Sequence, residues 1–243
     1  MQTNKNYIAR IKLDKQPENG ENLSIIIPCA RCGKNLRKQG LKSLFNIGDT
    51  TIIETQINLL NKIYPENEII LVLGEEAYRV KNLLKNKYKN VRYIYNSCYE
   101  NHNVLYSIGL GLYNRLRNSA LIIYGDLIFN KYTITDIIEG PSKLFTDTDN
   151  TMKDSEPGII MIDGKIQRLV YGIRPKWGQI CFLVDKELKL FEKCALKNPN
   201  WCGHEAINYV MENGGIFQPF VKSGYKLFEI DTLQDIEILK RMK

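Results

Sequence analysis

The chain has 243 residues, of which 44% are hydrophobic and 25% are charged, and its formal net charge is +7. This composition is that of an ordinary globular protein, with no apolar run near the roughly 20 residues that a membrane helix requires. The positive charge favours an anionic partner, but it does not separate a nucleotide from a nucleic acid or an anionic membrane. Because residues 1–22 are polar and lack the apolar centre of a secretory signal, we expect a cytoplasmic protein.

Strands and helices alternate in the first half of the chain. Residues 24–27 form an apolar run that Pro28 closes, and they predict a buried strand because proline cannot donate to a sheet ladder. The elements predicted after it are, in chain order, a helix at 51–63, a strand at 68–73, a helix at 76–86, a strand at 91–95, a helix at 103–116 and a strand at 120–124. This alternation predicts an α/β fold with a mainly parallel, mixed central sheet and helices on both faces.

The pattern changes after residue 139. The polar, turn-rich stretch 140–157 predicts a mobile loop, and Asp163-Gly164 predicts a hairpin turn between two strands in 158–171. The remaining predicted elements are a strand at 178–184, helices at 186–197 and 204–213, a short strand at 228–230 and a helix at 233–242 that Asp231 or Thr232 caps. Since no long linker interrupts the chain, we predict one domain with a small β-rich insertion after the fourth strand.

A basic loop follows the first predicted strand. Its cations are Arg31, Lys34, Arg37, Lys38 and Lys42, and no acidic residue occurs between 22 and 48. A strand that leads into a glycine-containing basic loop is a common way for α/β proteins to hold a phosphate-bearing ligand at the carboxyl end of the sheet. The alternative is a solvated surface loop in a lysine-rich protein.

Two aspartates stand at predicted strand ends, Asp126 after the fourth strand and Asp231 after the last. Carboxylates that converge at the carboxyl edge of a sheet can hold Mg²⁺, which prefers oxygen ligands and bridges to substrate phosphates. Separately, Gly125-Asp126 also fits a plain turn and Asp231 a helix cap. Together with the basic loop, they suit attack on the α-phosphate of a nucleoside triphosphate.

The six cysteines are scattered, and reduced thiols are the default in a chain without an export signal. Cys29 and Cys32 form a CxxC pair, which Cys202 and His204 would complete as a zinc site. A zinc-binding sequence would have a second pair of closely spaced Cys or His ligands, at the separation found in zinc fingers. This sequence lacks such a pair, so a zinc site is not favoured.

Several short motifs occur in an order and spacing that one known family shares. They are the strand and loop at 27–33, Lys42-Ser43-Leu44, Gly125-Asp126, and the stretch 229–236, Glu-Ile-Asp-Thr-Leu-Gln-Asp-Ile. On these motifs the chain resembles the nucleotidyltransferases of the Rossmann-like GT-A fold, which make nucleotide-activated sugars and alcohols from an NTP and a phosphate ester. Residues 101–108 resemble a stretch found in the phosphocholine cytidylyltransferase-like branch, near the sugar-phosphate nucleotidyltransferases.

The resemblance implies a role for each matching position. Lys42, Arg31 and Asp126 would be catalytic, with Lys42 on the reacting phosphates. The nucleotide would be bound by Ala30, Arg31, Gly33, Lys34, Asn103 and Ser107. Asp126 and Asp231 would hold the Mg²⁺ cofactor. Residues 1–22 would then be a polar arm, 23–139 the nucleotide-binding half, and 140–243 the half that binds the acceptor and completes the metal site.

The implied reaction transfers NMP, with CMP favoured, from an NTP to a phosphocholine-like phosphoalcohol or a sugar phosphate. Pyrophosphate is released, and the product would serve decoration of cell-surface glycans or lipids. Candidates for the acceptor pocket are Tyr171, Trp177 and Glu205, because aromatic faces with a carboxylate suit a cationic head group such as choline. The partners are therefore the NTP, with CTP favoured, and a small phosphorylated acceptor, whereas nucleic acid is not expected.

Two other classes of function stay open on the sequence. Asp147-Thr148-Asp149 has the DxD spelling of a GT-A glycosyltransferase that uses a sugar nucleotide, although no apolar strand leads into it. A catalytically degenerate relative that binds nucleotide or RNA is the second alternative. It is kept open because Arg31 stands where the family's loop has its first glycine, and because the net charge is positive.

Overall fold

The computed structural model describes residues 23–241, except for the side chains of residues 34 and 35. The predicted arm at 1–22, the last residue of the predicted C-terminal helix and the side chain of Lys34 lie outside the described residues. Within the described range, no helix has both the length and the apolar character to cross a membrane.

The strands of the described chain are β1 (Leu23–Cys29), β2 (Asn46–Ile47), β3 (Thr50–Thr51), β4 (Glu68–Leu73), β5 (Val91–Tyr95), β6 (Ser119–Ile123), β7 (Leu127–Phe129), β8 (Lys143–Asp147), β9 (Pro157–Ile162), β10 (Lys165–Tyr171), β11 (Lys176–Leu183), β12 (Gln218–Phe220) and β13 (Leu227–Glu229). The helices are α1 (Ile52–Ile63), α2 (Ala77–Leu84), α3 (Val104–Tyr113), α4 (Lys131–Ile134), α5 (Asp185–Lys197), α6 (Gly203–Glu212) and α7 (Leu233–Arg241). Two 3₁₀ turns, Lys34–Gln39 and Lys42–Leu44, lie between β1 and β2.

The central sheet has the strand order β10-β9-β11-β6-β1-β4-β5, and β8 with β12 joins it at β11. Strands β6, β1, β4 and β5 run parallel, whereas β11 runs antiparallel to β6. One apolar cluster packs α1 and α2 on one face, and a second packs α3, α5 and α6 on the other. The predicted mixed α/β fold, with helices on both faces, is therefore confirmed.

The apolar run of β1 results from its position at the centre of this sheet. Ile25 and Ile27 enter one apolar cluster and Ile26 the other, because successive side chains of a strand point to opposite faces. A strand with both faces buried therefore shows no polar alternation. The strand ends at Cys29, one residue beyond Pro28, since the pairing with β6 stops at Ile26 while the pairing with β4 continues.

Local capping and turn signals place several elements as predicted. Thr51 begins α1 with a capping box, in which its hydroxyl accepts from the Glu54 N–H and the Glu54 carboxylate accepts from the Thr51 N–H. Asp163 and Gly164 have φ values of 49° and 73° in the β9–β10 turn. Positive φ at both central positions is what a tight two-residue hairpin requires.

The prediction of a loop throughout 140–157 is wrong for residues 143–147, which form the buried strand β8. Leu144 and Phe145 are fully buried there, and β8 pairs with both β11 and β12. At the polar end of the strand, the Asp147 carboxylate accepts from the distant Tyr225 hydroxyl at 2.7 Å and from the nearby Asn150 Nδ2 at 2.8 Å. The two strand pairings and the Tyr225 contact join residues that are far apart in the chain, so the local sequence gives no signal for them.

A buried carboxylate also joins the first strands. Glu68 accepts hydrogen bonds from the Ser24 hydroxyl at 2.5 Å, from the Leu116 backbone N–H at 3.0 Å, and from the Arg92 guanidinium. Glu68→Ala leaves these donors unpaired, so we expect the free energy of unfolding to fall by about 3 kcal/mol. The melting temperature should fall by roughly 6–12 °C, measured by calorimetry.

The matched control for this change is Glu66→Ala, two residues earlier on the exposed surface. It should alter the unfolding free energy by less than about 0.5 kcal/mol. Equal stability of the two variants would show that the Glu68 hydrogen bonds contribute nothing net.

Candidate active site

A cavity of about 310 Å³ opens at the carboxyl ends of β1 and β6. Its lining includes most of the positions that the motifs assigned to nucleotide binding or catalysis. They are Ala30, Arg31, Gly33, Lys42, Asn103, Ser107 and Asp126. The chain thus brings together, at one sheet edge, residues from positions as far apart as 30 and 126.

Lys42 lies between two carboxylates at this cavity. Its Nζ is 2.9 Å from Asp126 Oδ2 and 2.8 Å from Asp231 Oδ1, and the residue is only 9% exposed. Burial opposes the charged form, but the two carboxylates outweigh it and raise the pKa of Lys42 above its ordinary value. For Asp231, burial is likewise outweighed by the charge of Lys42, which lowers the pKa of that carboxyl. Both groups are therefore charged at neutral pH.

Two glycines of the motifs allow this close packing. A Cβ on Gly33 would stand 2.6 Å from Cε of Lys42, and a Cβ on Gly125 would stand 2.5 Å from Sγ of Cys29. Any larger residue at either position would therefore displace a neighbour in the cavity wall. Glycine is needed here for close approach rather than for an unusual φ.

Asp126 is positioned by α1 and by a small sheet beside the central one. Gln56 of α1 donates from Nε2 to the carbonyls of Tyr124 at 3.0 Å and of Leu127 at 2.7 Å, on either side of the aspartate. Strand β13 pairs antiparallel with β7, and the Ile230 N–H donates to the Asp126 carbonyl at 3.2 Å. This pairing brings the end of β13 against Asp126.

The β7–β13 pairing adds a third carboxylate that the sequence reasoning missed. Asp126, Glu229 and Asp231 offer oxygens that all lie within 4.8 Å of one another. Glu229 and Asp231 share one side because alternate residues of an extended chain point the same way, and this Glu-x-Asp spacing was the available signal. Burial, followed by the charges of the two aspartates, raises the pKa of Glu229 to about 7. A set of hard oxygen donors fits Mg²⁺.

Thr232, rather than Asp231, caps the last helix. Its hydroxyl accepts from the Asp235 N–H at 3.2 Å, while the Asp235 carboxylate accepts from the Thr232 N–H at 2.7 Å. Of the two caps that the sequence allowed, the structure uses the one that leaves the Asp231 carboxylate directed at Lys42.

A second cavity, of about 130 Å³, lies on the other side of Glu229 and Asp231. Lys176 is nearly buried in its wall, with Nζ 2.6 Å from Glu156 Oε1 and 3.5 Å from Glu229 Oε2. Lys153 is more exposed and stands 3.8 Å from Asp231 Oδ2. Neither lysine belonged to a motif, so the sequence did not single them out.

The remaining predicted nucleotide-site residues have partners of their own. Asn103 caps α3 by accepting from the Val104 N–H at 2.9 Å, and its Nδ2 lies 3.1 Å from Sγ of Cys202. Ser107 accepts from Asn96 Nδ2 at 3.0 Å. Arg31 is exposed, and its Nη1 donates to the His102 carbonyl at 3.4 Å. Of these three, Arg31 is the one that is exposed, and the assigned roles stay predictions.

The predicted acceptor residues are not among the residues lining the 310 Å³ cavity. Trp177 is buried and donates from its indole N–H to the Ile180 carbonyl at 3.2 Å, with its ring 6.0 Å from that of Tyr124, which does line the cavity. Glu205 accepts from the Cys202 N–H at 2.7 Å at the start of α6, and Tyr171 packs its ring 4.8 Å from His204. Their role in an acceptor pocket therefore stays a prediction.

The alternative metal motifs are not assembled in the described part of the chain. The carboxylate trio is the one group of potential ligands found there, and Cys29 and Cys32 are buried free thiols. Burial raises the pKa of the Cys29 thiol to about 12, so this group is not a thiolate at neutral pH. In the DxD spelling, Asp147 is the last residue of β8 and its carboxylate accepts from Tyr225 and Asn150, while Asp149 is exposed.

Comparison with known proteins identifies the fold. No family model and no curated protein matches the sequence. Among solved structures, the CTP:phosphocholine cytidylyltransferase of Streptococcus pneumoniae covers 90% of this chain and 98% of its own, with a TM-score of 0.70 at 20% identity. The inositol-1-phosphate CTP transferase of T. maritima covers 92% and 97%, with a TM-score of 0.74 at 17% identity.

A nucleoside-diphosphate-sugar pyrophosphorylase from Vibrio cholerae RC9 gives a TM-score of 0.72 at 12% identity, over 89% of this chain and 99% of its own. The fold that this chain shares with the three structures is the one that the motif resemblance implied, so the resemblance is confirmed at the level of the fold. The chain has the nucleotidyltransferase fold over nearly its whole described length.

Proposed function

We propose that this protein is a nucleotidyltransferase, which transfers NMP from an NTP to a small phosphorylated acceptor and releases pyrophosphate. The observation that carries the proposal is the placement of Lys42 against Asp126 and Asp231, beside a cavity with a glycine-containing basic loop. Fixed cations of this kind stabilise the charge that develops on phosphates during transfer. Lys42 and Arg31 would hold the triphosphate, with the backbone at Ala30 and Gly33 close to the nucleotide.

Asp126, Asp231 and, in addition, Glu229 would hold Mg²⁺. When bound there, the ion would offset negative charge on the phosphates and orient them. The attacking group needs no protein base, because a phosphate ester is already an oxyanion at neutral pH. This agrees with the lining of the cavity, to which neither His102 nor His204 contributes.

We favour CTP as the donor and a phosphoalcohol or sugar phosphate as the acceptor. Support comes from residues 101–108, which resemble the phosphocholine cytidylyltransferase-like branch, and from two structural neighbours whose names specify CTP. The product would be an activated alcohol or sugar for decorating a surface glycan or lipid. The corresponding place of action is the cytoplasm.

The test is a screen for pyrophosphate release. Each of the four NTPs is combined with phosphocholine, other phosphoalcohols and sugar 1-phosphates, with Mg²⁺ or with EDTA. We expect one NTP–acceptor pair, with CTP, to release pyrophosphate in amounts equal to the activated product, and EDTA to stop the reaction. Transfer from a sugar nucleotide without pyrophosphate release would identify a glycosyltransferase instead, and RNA binding without turnover would identify the degenerate relative.

A further inference from the structure

The position of Lys42 has a consequence for how the metal ion enters the site. We propose that the Lys42 ammonium and the divalent cation compete for the same two carboxylates, and that a nucleoside triphosphate ends the competition by drawing the ammonium to its phosphates. The inference rests on the proposed function for the identity of the triphosphate. The competition itself concerns only side chains described above.

Geometry supports the competition. Lys42 Nζ lies within 2.9 Å of an oxygen of Asp126 and of an oxygen of Asp231, two of the three carboxylates that offer a metal site. A small divalent ion bonds its oxygens at about 2.1 Å, so it would lie close to the ammonium between the same side chains. Like charges at such a separation repel strongly in a partly buried site.

The lysine is held in this position by its surroundings. The residue is almost completely buried, and its side chain passes directly over Gly33, where a Cβ would come within 2.6 Å of Cε. Gly33 itself has φ −56° and ψ 147°, which any residue adopts. Glycine is therefore needed at this position to leave space for the Lys42 side chain, and not to allow the backbone conformation of the loop.

The same lysine can leave the carboxylates without leaving the cavity. Lys42 shares the lining of the 310 Å³ cavity with Arg31 and Gly33, on the basic loop. A triphosphate placed there offers the ammonium anionic oxygens that replace those of the aspartates. Binding of triphosphate and of metal would then be coupled, and the coupling must be reciprocal.

The experiment measures Mn²⁺ binding without nucleotide, by electron paramagnetic resonance, for the wild type and three variants. Lys42→Met removes the competing charge, whereas Gly33→Ala keeps every charge and displaces the flexible end of Lys42. We expect each of the two to bind Mn²⁺ at least tenfold more tightly than the wild type. The control is Lys153→Met, which removes an equal charge 3.8 Å from Asp231 without bridging the aspartates, and we expect less than a threefold change.

A second measurement addresses the triphosphate. The factor by which CTP and Mn²⁺ tighten each other's binding should be smaller in Gly33→Ala than in the wild type, because the ammonium is already displaced. Unchanged Mn²⁺ affinity in Gly33→Ala and Lys42→Met would overturn the inference. So would an equal gain in Lys153→Met, which would indicate a general charge effect.

The outcome separates this inference from the proposed function. Pyrophosphate release by the wild type with no Mn²⁺ gain in the variants removes only the competition. The Mn²⁺ gain without turnover of any NTP supports the competition and removes the proposed function.

Discussion

Asp126→Asn is expected to lower turnover by roughly 10²–10³-fold, measured as pyrophosphate release at saturating Mg²⁺. The change removes one of three clustered carboxylates and one of the two anionic partners of Lys42. An asparagine has nearly the same shape, so the hydrogen bond that the residue 126 carbonyl accepts from the Ile230 N–H and the packing of the turn should persist. The loss should therefore appear in chemistry and metal binding, not in folding.

The stability of this variant is informative as well. Asp126 lies beside Glu229 and Asp231, and the repulsion within this trio contributes to the raised pKa of Glu229. Neutralising one member relieves repulsion while it weakens the contact with Lys42. We expect the unfolding free energy to change by less than about 1 kcal/mol, measured by chemical denaturation.

Asp149→Asn is the matched control, because it makes the same chemical change at an exposed aspartate outside the carboxylate trio. Its turnover should equal that of the wild type. Full activity of Asp126→Asn would refute the metal site. Loss in Asp149→Asn with full activity of Asp126→Asn would instead point to the DxD spelling and a glycosyltransferase.

Lys42→Met is expected to lower kcat/KM for the nucleoside triphosphate by roughly 10²–10³-fold. Methionine keeps most of the apolar stem of the lysine but offers no charge to the phosphates. This loss of kcat/KM contrasts with the gain in Mn²⁺ affinity that is proposed for the same variant. The single substitution Lys42→Met should therefore increase the affinity for Mn²⁺ and remove most of the catalytic activity. Simple damage to the site would lower both.

Lys38→Met is the control for this second variant. Lys38 belongs to the same basic loop, is exposed, and does not line the cavity. If Lys42 acted only through the overall positive charge of the loop, kcat/KM would fall equally in Lys42→Met and Lys38→Met. A specific contact with the reacting phosphates lowers it only in Lys42→Met, and equal losses would contradict the assigned role.

The central fold was predictable because its signals are local. Strands with both faces buried are continuous apolar runs, as in 24–27 and 68–73, and the Thr51–Glu54 capping box and the Asp163-Gly164 turn depend on near neighbours. Helices between these strands imply parallel pairing. The order of the strands came from the structure, which places β6 and β4 on opposite sides of β1, so that the switch point where a ligand binds lies between β1 and β6.

The unpredicted elements depend on partners far along the chain. Strand β8 is stabilised by the hydrogen bond between Asp147 and Tyr225, and β7 pairs with β13, which lies about a hundred residues later in the chain. Neither strand carries an apolar run long enough to be recognised alone. Trp177 was predicted to line the acceptor pocket, but it is buried behind Tyr124. The sequence cannot separate these two cases, because an aromatic residue in a strand fits either a pocket wall or the core.

The α/β class, the basic loop after the first strand and two of the three clustered carboxylates were predictable, because periodicity and short motifs are visible in the sequence without knowledge of distant contacts. The structure was needed to show that Glu229 joins Asp126 and Asp231, and that Lys42 lies between two of these acids. These features arise from pairing and charge contacts across as many as 189 positions, which no local pattern encodes.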